Sequence, residues 1–194
     1  LGEGASGLIY RASLSREEVS HPVAVKLFKG AMTSDGLPKC EMATTMKAGQ
    51  HYALTQTLGR IQHHPSGTDG LVMELIPDEF NNLAQPPSLE SCTRDVYSSD
   101  KQFSSSALFK VVGAIADAVN HLHQQGVMHG DLYAHNILTT PSGEALLSDY
   151  GAASFFDAEE SYQAAKLQRL EARAFGCLLE ELIERCDELD AEVR

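Results

Sequence analysis

Apolar residues in the first third of the chain cluster in short, partly β-branched runs; later they recur at three-and-four spacing. Leu8, Ile9 and Tyr10 follow a glycine-rich turn, and residues 23–28 form an apolar, valine-bearing run with a single lysine, Lys26, embedded in it. Both segments predict strands. Residues 13–22 are polar and close on His21-Pro22, a pattern that predicts a hairpin-like connection. Over 38–47 the composition turns helical: Pro38 stands near the first turn, where a missing N–H costs little, and Gly49 offers a stop. Two further strands are expected over 54–61 and 71–76, separated by the turn cluster at 63–67.

Residues 77–105 carry Pro77, Pro86, Pro87 and many Ser and Asp residues, and predict a loop. Ser105 or Ser106 is placed to cap a long helix with Leu108, Val111, Val112, Ile115, Ala118, Val119 and Leu122 on one face. Burying each larger member contributes about 1.5–3 kcal/mol, so this helix can anchor a second, helical unit. Gly126 ends it. Val127-Met128 then leads into His129-Gly130-Asp131, and two short strands, 136–138 and 145–147, are joined by the turn Pro141-Ser142-Gly143. A last helix is expected over 167–186, with Leu170, Ala174, Leu178, Leu179, Leu182 and Ile183 inward. The order of elements is that of an α+β chain: a β-rich first part with one helix, then a mainly helical second part.

Composition narrows the function classes. The 194 residues carry 15 Lys+Arg and 27 Asp+Glu, a net charge of −12, with 43% hydrophobic residues. That balance suits a folded domain and argues against nucleic acid as the main partner. No apolar run is long enough to span a bilayer. Cys40, Cys92, Cys177 and Cys186 show neither C-x-x-C pairing nor a disulfide-framework spacing, which fits a reducing, cytoplasmic setting. The charge is uneven: +2 over residues 1–60, −8 over 61–154 and −6 over 155–194. An anionic ligand near the N-terminal part suits that asymmetry, and so does a solvated acidic surface.

Four short segments carry chemistry. Gly2-Glu3-Gly4-Ala5-Ser6-Gly7 is a G-x-G-x-x-G whose glycines let backbone N–H groups approach phosphate oxygens; a tight hairpin alone would use the same glycines. A strand follows it, which excludes a Rossmann turn. Val23-Ala24-Val25-Lys26 places an ammonium in a buried-looking strand, where it must face an anion or reach out to water; Glu41, fifteen residues on, can pair with it. In the segment beginning His129-Gly130-Asp131, Asp131 can accept a hydroxyl proton and Asn136 can hold a divalent cation through its amide oxygen. In Ser148-Asp149-Tyr150-Gly151, Asp149 ends a strand with a carboxylate suited to Mg²⁺.

In this order the four segments resemble the protein kinase signature set over almost the whole chain. The resemblance implies a two-lobed fold, with an antiparallel β-rich first lobe (1–76) and a mainly helical, incomplete or minimal second lobe (77–194). It implies ATP and Mg²⁺ as ligands and a protein Ser/Thr hydroxyl as acceptor. Gly2, Gly4 and Gly7 would cover the phosphates, and Lys26, paired with Glu41, would hold the α- and β-phosphates. Asp131 would be the catalytic base, with Asn136 and Asp149 on the metal. Ile9, Ala24 and Leu138 would sandwich adenine, beside Met73 at the gatekeeper position and the backbone from Glu74 to Ile76. Ala174-Phe175-Gly176 resembles the F-G of the family's central second-lobe helix.

The departures are specific. Gly130 replaces the usual Arg, so a link from that Arg to a phosphorylated activation loop should be missing. Tyr150 replaces Phe, Tyr133 stands where Ser/Thr kinases carry Lys, and His135 stands where many tyrosine kinases carry Arg. Glu171 stands where the family has Asp, only 22 positions after Asp149 with no A-P-E between them, so the peptide-docking floor is shortened or rebuilt. Two other readings share the motifs: a small-molecule kinase of the aminoglycoside or choline type, and a pseudokinase serving as a binding module. His121, His123, His129 and His135 lack zinc-type spacing.

Overall fold

The computed structural model describes residues 2–3, 6–16, 19–30, 32, 36–92 and 94–186. Its first part is an antiparallel five-stranded sheet: β1 (Gly2–Glu3), β2 (Gly7–Arg16), β3 (Val19–Phe28), β4 (Thr57–Ile61) and β5 (Gly70–Glu74), in spatial order β1-β2-β3-β5-β4. One helix, α1 (Pro38–Ala48), joins β3 to β4. Along β3 burial alternates: Ala24, Lys26 and Phe28 are buried, while Val25 and Leu27 between them are half-buried. That period of two puts the lysine on an inward face.

Two strands run longer than the hydrophobic pattern predicts. Residues 13–22 are not a connection; β2 and β3 continue pairing out to Arg16 and Val19. The outer arm meets no core: Ala12 and Leu14 are only half-buried and residues 19–22 are exposed, so its hydrophobic signature is weak. Pro22 is tolerated inside β3 because β5 pairs only from Val23 onward, leaving β3 an edge strand at that point. The other two strands are shorter than expected. β4 starts at Thr57, Leu54 forming only an isolated bridge to Leu147, and β5 stops at Glu74.

After β6 (Asn81–Asn82), the second part is built round α2 (Ser105–Gln124). Ser104, one residue before the expected cap, holds the helix start, its Oγ accepting from the Ala107 N–H at 3.2 Å. Gly126, with φ of 68°, turns the chain just past the end. There follow β7 (Val127–Met128), a 3₁₀ turn (Ala134–Asn136), β8 (Ile137–Thr139), β9 (Ala145–Leu147) and β10 (Ser154–Phe155). β8 lies between β6 and β9, and β10 pairs with β7. The last helix, α3 (Ser161–Ile183), starts six residues before its expected N-terminus; its first turns bury only Ala164 and leave Tyr162 exposed, so they give no inward apolar stripe. Leu170, expected inward, is 58% exposed; the buried stripe runs through Ala164, Glu171, Leu178 and Leu182.

Val111, Ile115, Ala118 and Leu122 of α2 are buried with Leu132, Ile137, Leu147, Tyr150, Leu178 and Leu182. This core backs the loop between β7 and β8, so side chains at 129–136 are held from behind by packed apolar residues. Ile115 is fully buried. Ile115→Ala is expected to lower unfolding free energy by about 2–5 kcal/mol, checked by urea denaturation followed by circular dichroism.

Candidate active site

Lys26 and Glu41 form a buried ion pair between β3 and α1, with side-chain exposures of 10% and 5%. Glu41 lies in the first turn of α1, where the helix dipole also favours a carboxylate. The sheet register gathers further predicted residues. Ile9 lies opposite Lys26, and Met73 opposite Ala24. Directly opposed residues project to one face, so Ile9, Ala24, Lys26 and Met73 share a face of the sheet. The Glu74 N–H donates to Gln56 O at 3.0 Å, and Glu74 pairs with Val23 at the end of β5. Ile76 follows in irregular chain, and Leu138 lies at the centre of β8.

Gly2 belongs to the exposed β1. Gly4 lies outside the described residues. Gly7 has a reason of its own to be glycine: a Cβ there would sit 2.5 Å from Leu27 O, so the close approach of β2 to β3 excludes a side chain.

A single hydrogen-bond network links the polar residues of the second part. Asn136 Nδ2 donates to Asp131 Oδ2 at 2.8 Å and to Asp131 O at 3.0 Å. Both partners are acceptors, which sets the amide orientation and leaves Asn136 Oδ1 uncommitted to them. Ser148 donates to Asn136 O through both its N–H (2.9 Å) and its Oγ (2.8 Å). His129, fully buried, donates from Nε2 to Ser148 O at 2.9 Å. Asp131, Asn136 and Ser148 are thereby linked, and Asp149 follows Ser148 directly in the chain. Asp149 itself has φ of 58°, and its Oδ1 accepts from the Gly151 N–H at 3.1 Å. A left-handed non-glycine residue costs of order 1–3 kcal/mol and persists only where the surroundings impose it.

The donor set suits a hard divalent cation. One exposed carboxylate and one amide oxygen are too few to cage Mg²⁺ alone, yet Mg²⁺ is ordinarily held by one or two carboxylates together with substrate phosphates. The described residues contain no group of three or more His, Cys, Asp and Glu side chains placed for a metal. The four histidines of the second part have separate partners: His121 faces Ala48 O, His123 faces Glu171, His129 faces Ser148 O and His135 faces Asp95.

Sequence reasoning named Glu171 only as a departure; the structure gives it a task. Its carboxylate, 2% exposed, accepts from the Gly130 N–H at 2.8 Å and from His123 Nε2 at 2.7 Å. One side chain of α3 thus pins both α2 and the residue before Asp131. Gly130 has φ of 81°, and a Cβ there would meet Ala152 O at 2.5 Å, so no larger residue fits. Tyr150 is buried in the core against His129, and burial pushes its phenol up. Asp95 escaped notice altogether: it lies in the stretch expected to be loop, and its partners are 39 and 40 residues away. Its only sequence signal is an acidic residue amid polar ones.

Comparison with known proteins agrees with this geometry. The family of protein tyrosine and serine/threonine kinases matches residues 1–187. The chain belongs to the protein kinase family. It is 30% identical over 168 residues to cysteine-rich receptor-like protein kinase 26 of Arabidopsis thaliana, covering 84% of this chain and 23% of that protein. It is 27% identical over 167 residues to CBL-interacting protein kinase 22 of Oryza sativa subsp. japonica, covering 82% and 36% respectively. A 43-residue stretch, 22% of this chain and 9% of the relative, is 46% identical to the serine/threonine-protein kinase AtPK1/AtPK6 of Arabidopsis thaliana. The kinase chain thus spans well under half the length of these relatives. No helix among its described residues is long and apolar enough to cross a membrane.

Burial raises the Glu171 carboxyl, but hydrogen bonds from His123 and Gly130 and the charges of the neighbouring imidazoles outweigh it, and the net is a value below that of a free glutamate. The unfolded chain therefore binds this proton at a higher pH than the folded one. The contribution is fully present above the unfolded-state value and is lost as pH falls through the folded one. Glu171→Gln is expected to cost about 1–3 kcal/mol near neutrality and to flatten the acid limb of stability, measured by urea unfolding across a pH series.

Proposed function

We propose that this protein is an ATP- and Mg²⁺-dependent protein kinase that phosphorylates a protein hydroxyl, Ser/Thr in preference to Tyr. Residues 1–76 act as the nucleotide-holding lobe and 77–194 as the lobe that carries out transfer. The observation that carries this reading is the network joining Asp131, Asn136 and Ser148, the residue before Asp149, in a chain that also holds a buried Lys26–Glu41 pair. A buried ammonium restrained by one carboxylate keeps N–H donors for phosphate oxygens.

The residues divide the work as follows. Ile9, Ala24 and Leu138 pack on adenine beside Met73, and the backbone from Glu74 to Ile76 bonds its edge. Gly2, Gly4 and Gly7 cover the phosphates, and Lys26 bonds the α- and β-phosphates, its direction fixed by Glu41. Mg²⁺, when bound, neutralises charge on the β- and γ-phosphates; Asn136 Oδ1 and the Asp149 carboxylate are the oxygens that would hold it. Asp131, oriented by Asn136 Nδ2, accepts the acceptor's hydroxyl proton as the new O–P bond forms and the bond from the γ-phosphorus to the β,γ-bridging oxygen breaks, releasing ADP. Positioning and charge neutralisation supply most of the acceleration.

Ser or Thr is the preferred acceptor because the curated relatives include proteins named as serine/threonine kinases. Labelled γ-phosphate supplied with Ser, Thr and Tyr peptides and an aminoglycoside panel tests the acceptor: transfer to Ser or Thr peptides is expected. Transfer to an aminoglycoside alone identifies a small-molecule kinase, and no transfer identifies a binding module.

Two substitutions test the roles. Asp131→Asn should leave nucleotide affinity intact while turnover falls by about 10²–10⁴-fold. Asp149→Asn, which tolerates the left-handed backbone but carries no charge, should abolish the Mg²⁺-dependent part of ATP-induced thermal stabilisation. An unchanged shift removes Asp149 from the metal site.

A further inference from the structure

The 3₁₀ turn that ends in Asn136 has no side-chain cap of its own. The N–H groups opening such a turn have no acceptor within it and must find one elsewhere. Asp95, 6% exposed, supplies it from the irregular stretch before α2. Its Oδ2 accepts from the Ala134 N–H at 2.9 Å, and its Oδ1 accepts from the His135 N–H at 3.1 Å and from His135 Nδ1 at 2.6 Å. The preceding residue grips the two positions before these. Arg94 Nη2 donates to Leu132 O at 3.2 Å, and its guanidinium lies 4.3 Å over the Tyr133 ring. Two adjacent residues therefore hold four consecutive residues of the loop between Asp131 and Asn136.

The strap is itself anchored. Arg94 Nε bonds Glu181 Oε1 at 3.1 Å and Tyr97 bonds Glu181 Oε2 at 3.0 Å, while Val96 and Gln85 exchange two backbone bonds of 2.8 Å. On the opposite side of the loop, Ala152 O lies against Gly130 where a Cβ would be, so position 130 has no room for a side chain reaching towards the following segment.

We propose that Asp95, supported by Arg94, is the positioning residue of the phosphotransfer loop. It sets the Asn136 amide against Asp131 through a contact built into the fold, so the loop is aligned without phosphorylation of the segment after Asp149. This rests on Asp131 being the base of the reaction proposed above. A carboxylate accepts all three bonds at once; an amide in its place turns a donor towards a donor. A displacement of about 1 Å in a reacting group can cost about 10²-fold in rate, so the loss should fall on turnover and spare nucleotide binding.

The test compares the chain with Asp95→Asn by two independent readouts. The first is nuclear magnetic resonance: amide exchange at Ala134 and His135, and the side-chain amide signals of Asn136. The second is steady-state transfer to the accepted peptide. Asp95→Asn is expected to speed exchange at both amides by about tenfold or more, to move the Asn136 side-chain signals, and to lower kcat by about 10- to 100-fold with KM for ATP within about twofold. Unchanged exchange, or kcat and KM for ATP worsening together, overturns the proposal. If the unsubstituted chain transfers no phosphate, the kinase reading fails, and the exchange data still decide whether Asp95 sets the turn. Should Asp95→Asn not fold, His135→Ala removes one of the three bonds; the same split between kcat and KM is expected at smaller size, and unchanged kinetics and exchange count against the strap. Phosphatase treatment of the unsubstituted chain should leave kcat within about twofold, and a larger loss overturns alignment without phosphate.

Discussion

A carboxylate withdrawn from water must be given donors, and in this protein that requirement organises the second lobe. Glu171 is enclosed between α2 and α3, and its two oxygens are satisfied by a helix side chain and by a loop N–H. Remove either donor and one carboxylate oxygen is left buried without a partner, a cost that exceeds the worth of an ordinary hydrogen bond. The apolar packing around Ile115 and Leu178 keeps water out, and it is this exclusion that makes the pairing compulsory. From the Gly130 N–H the constraint passes to Asp131, and through Asn136 to Ser148, the residue before Asp149.

The same logic recurs twice more. Lys26 on the inward face of β3 compels Glu41 on α1, and the unsatisfied N–H groups at Ala134 and His135 compel Asp95. Each pairing joins two elements distant in the chain, so the polar residues of the site also act as its fasteners. A site held in this way is stiff, which suits chemistry that relies on placing groups and neutralising charge.

How much of this was legible beforehand follows from the range of the interactions. The inward lysine and its glutamate could be read because one strand and one helix, each with a clear local pattern, carry them. The faces of α2 were legible for the same reason: three-and-four spacing of large apolar residues survives any context. The outer arms of β2 and β3 carry only a faint signal: half-buried Ala12 and Leu14 alternate with exposed Arg11, Ser13 and Ser15, while residues 19–22 are all exposed. The first turns of α3 lack large inward apolar residues, and Leu170, spaced four before Ala174, suggests an inward position that the charged Glu171 takes instead. Asp95 was beyond reach: its partners are mainly backbone N–H groups, which every residue but proline has, so nothing in their identity points back to it.

The β2–β3 ladder changes character at Pro22. Inward of that point β3 has a neighbour on each side and a buried face; outward it has β2 alone, and residues 19–22 are exposed. The two halves therefore belong to different cooperative units, with separate free energies of opening. The outer arm can open and re-form as a local event while Lys26 stays clasped, so thermal motion there is insulated from the face of the sheet that carries Lys26.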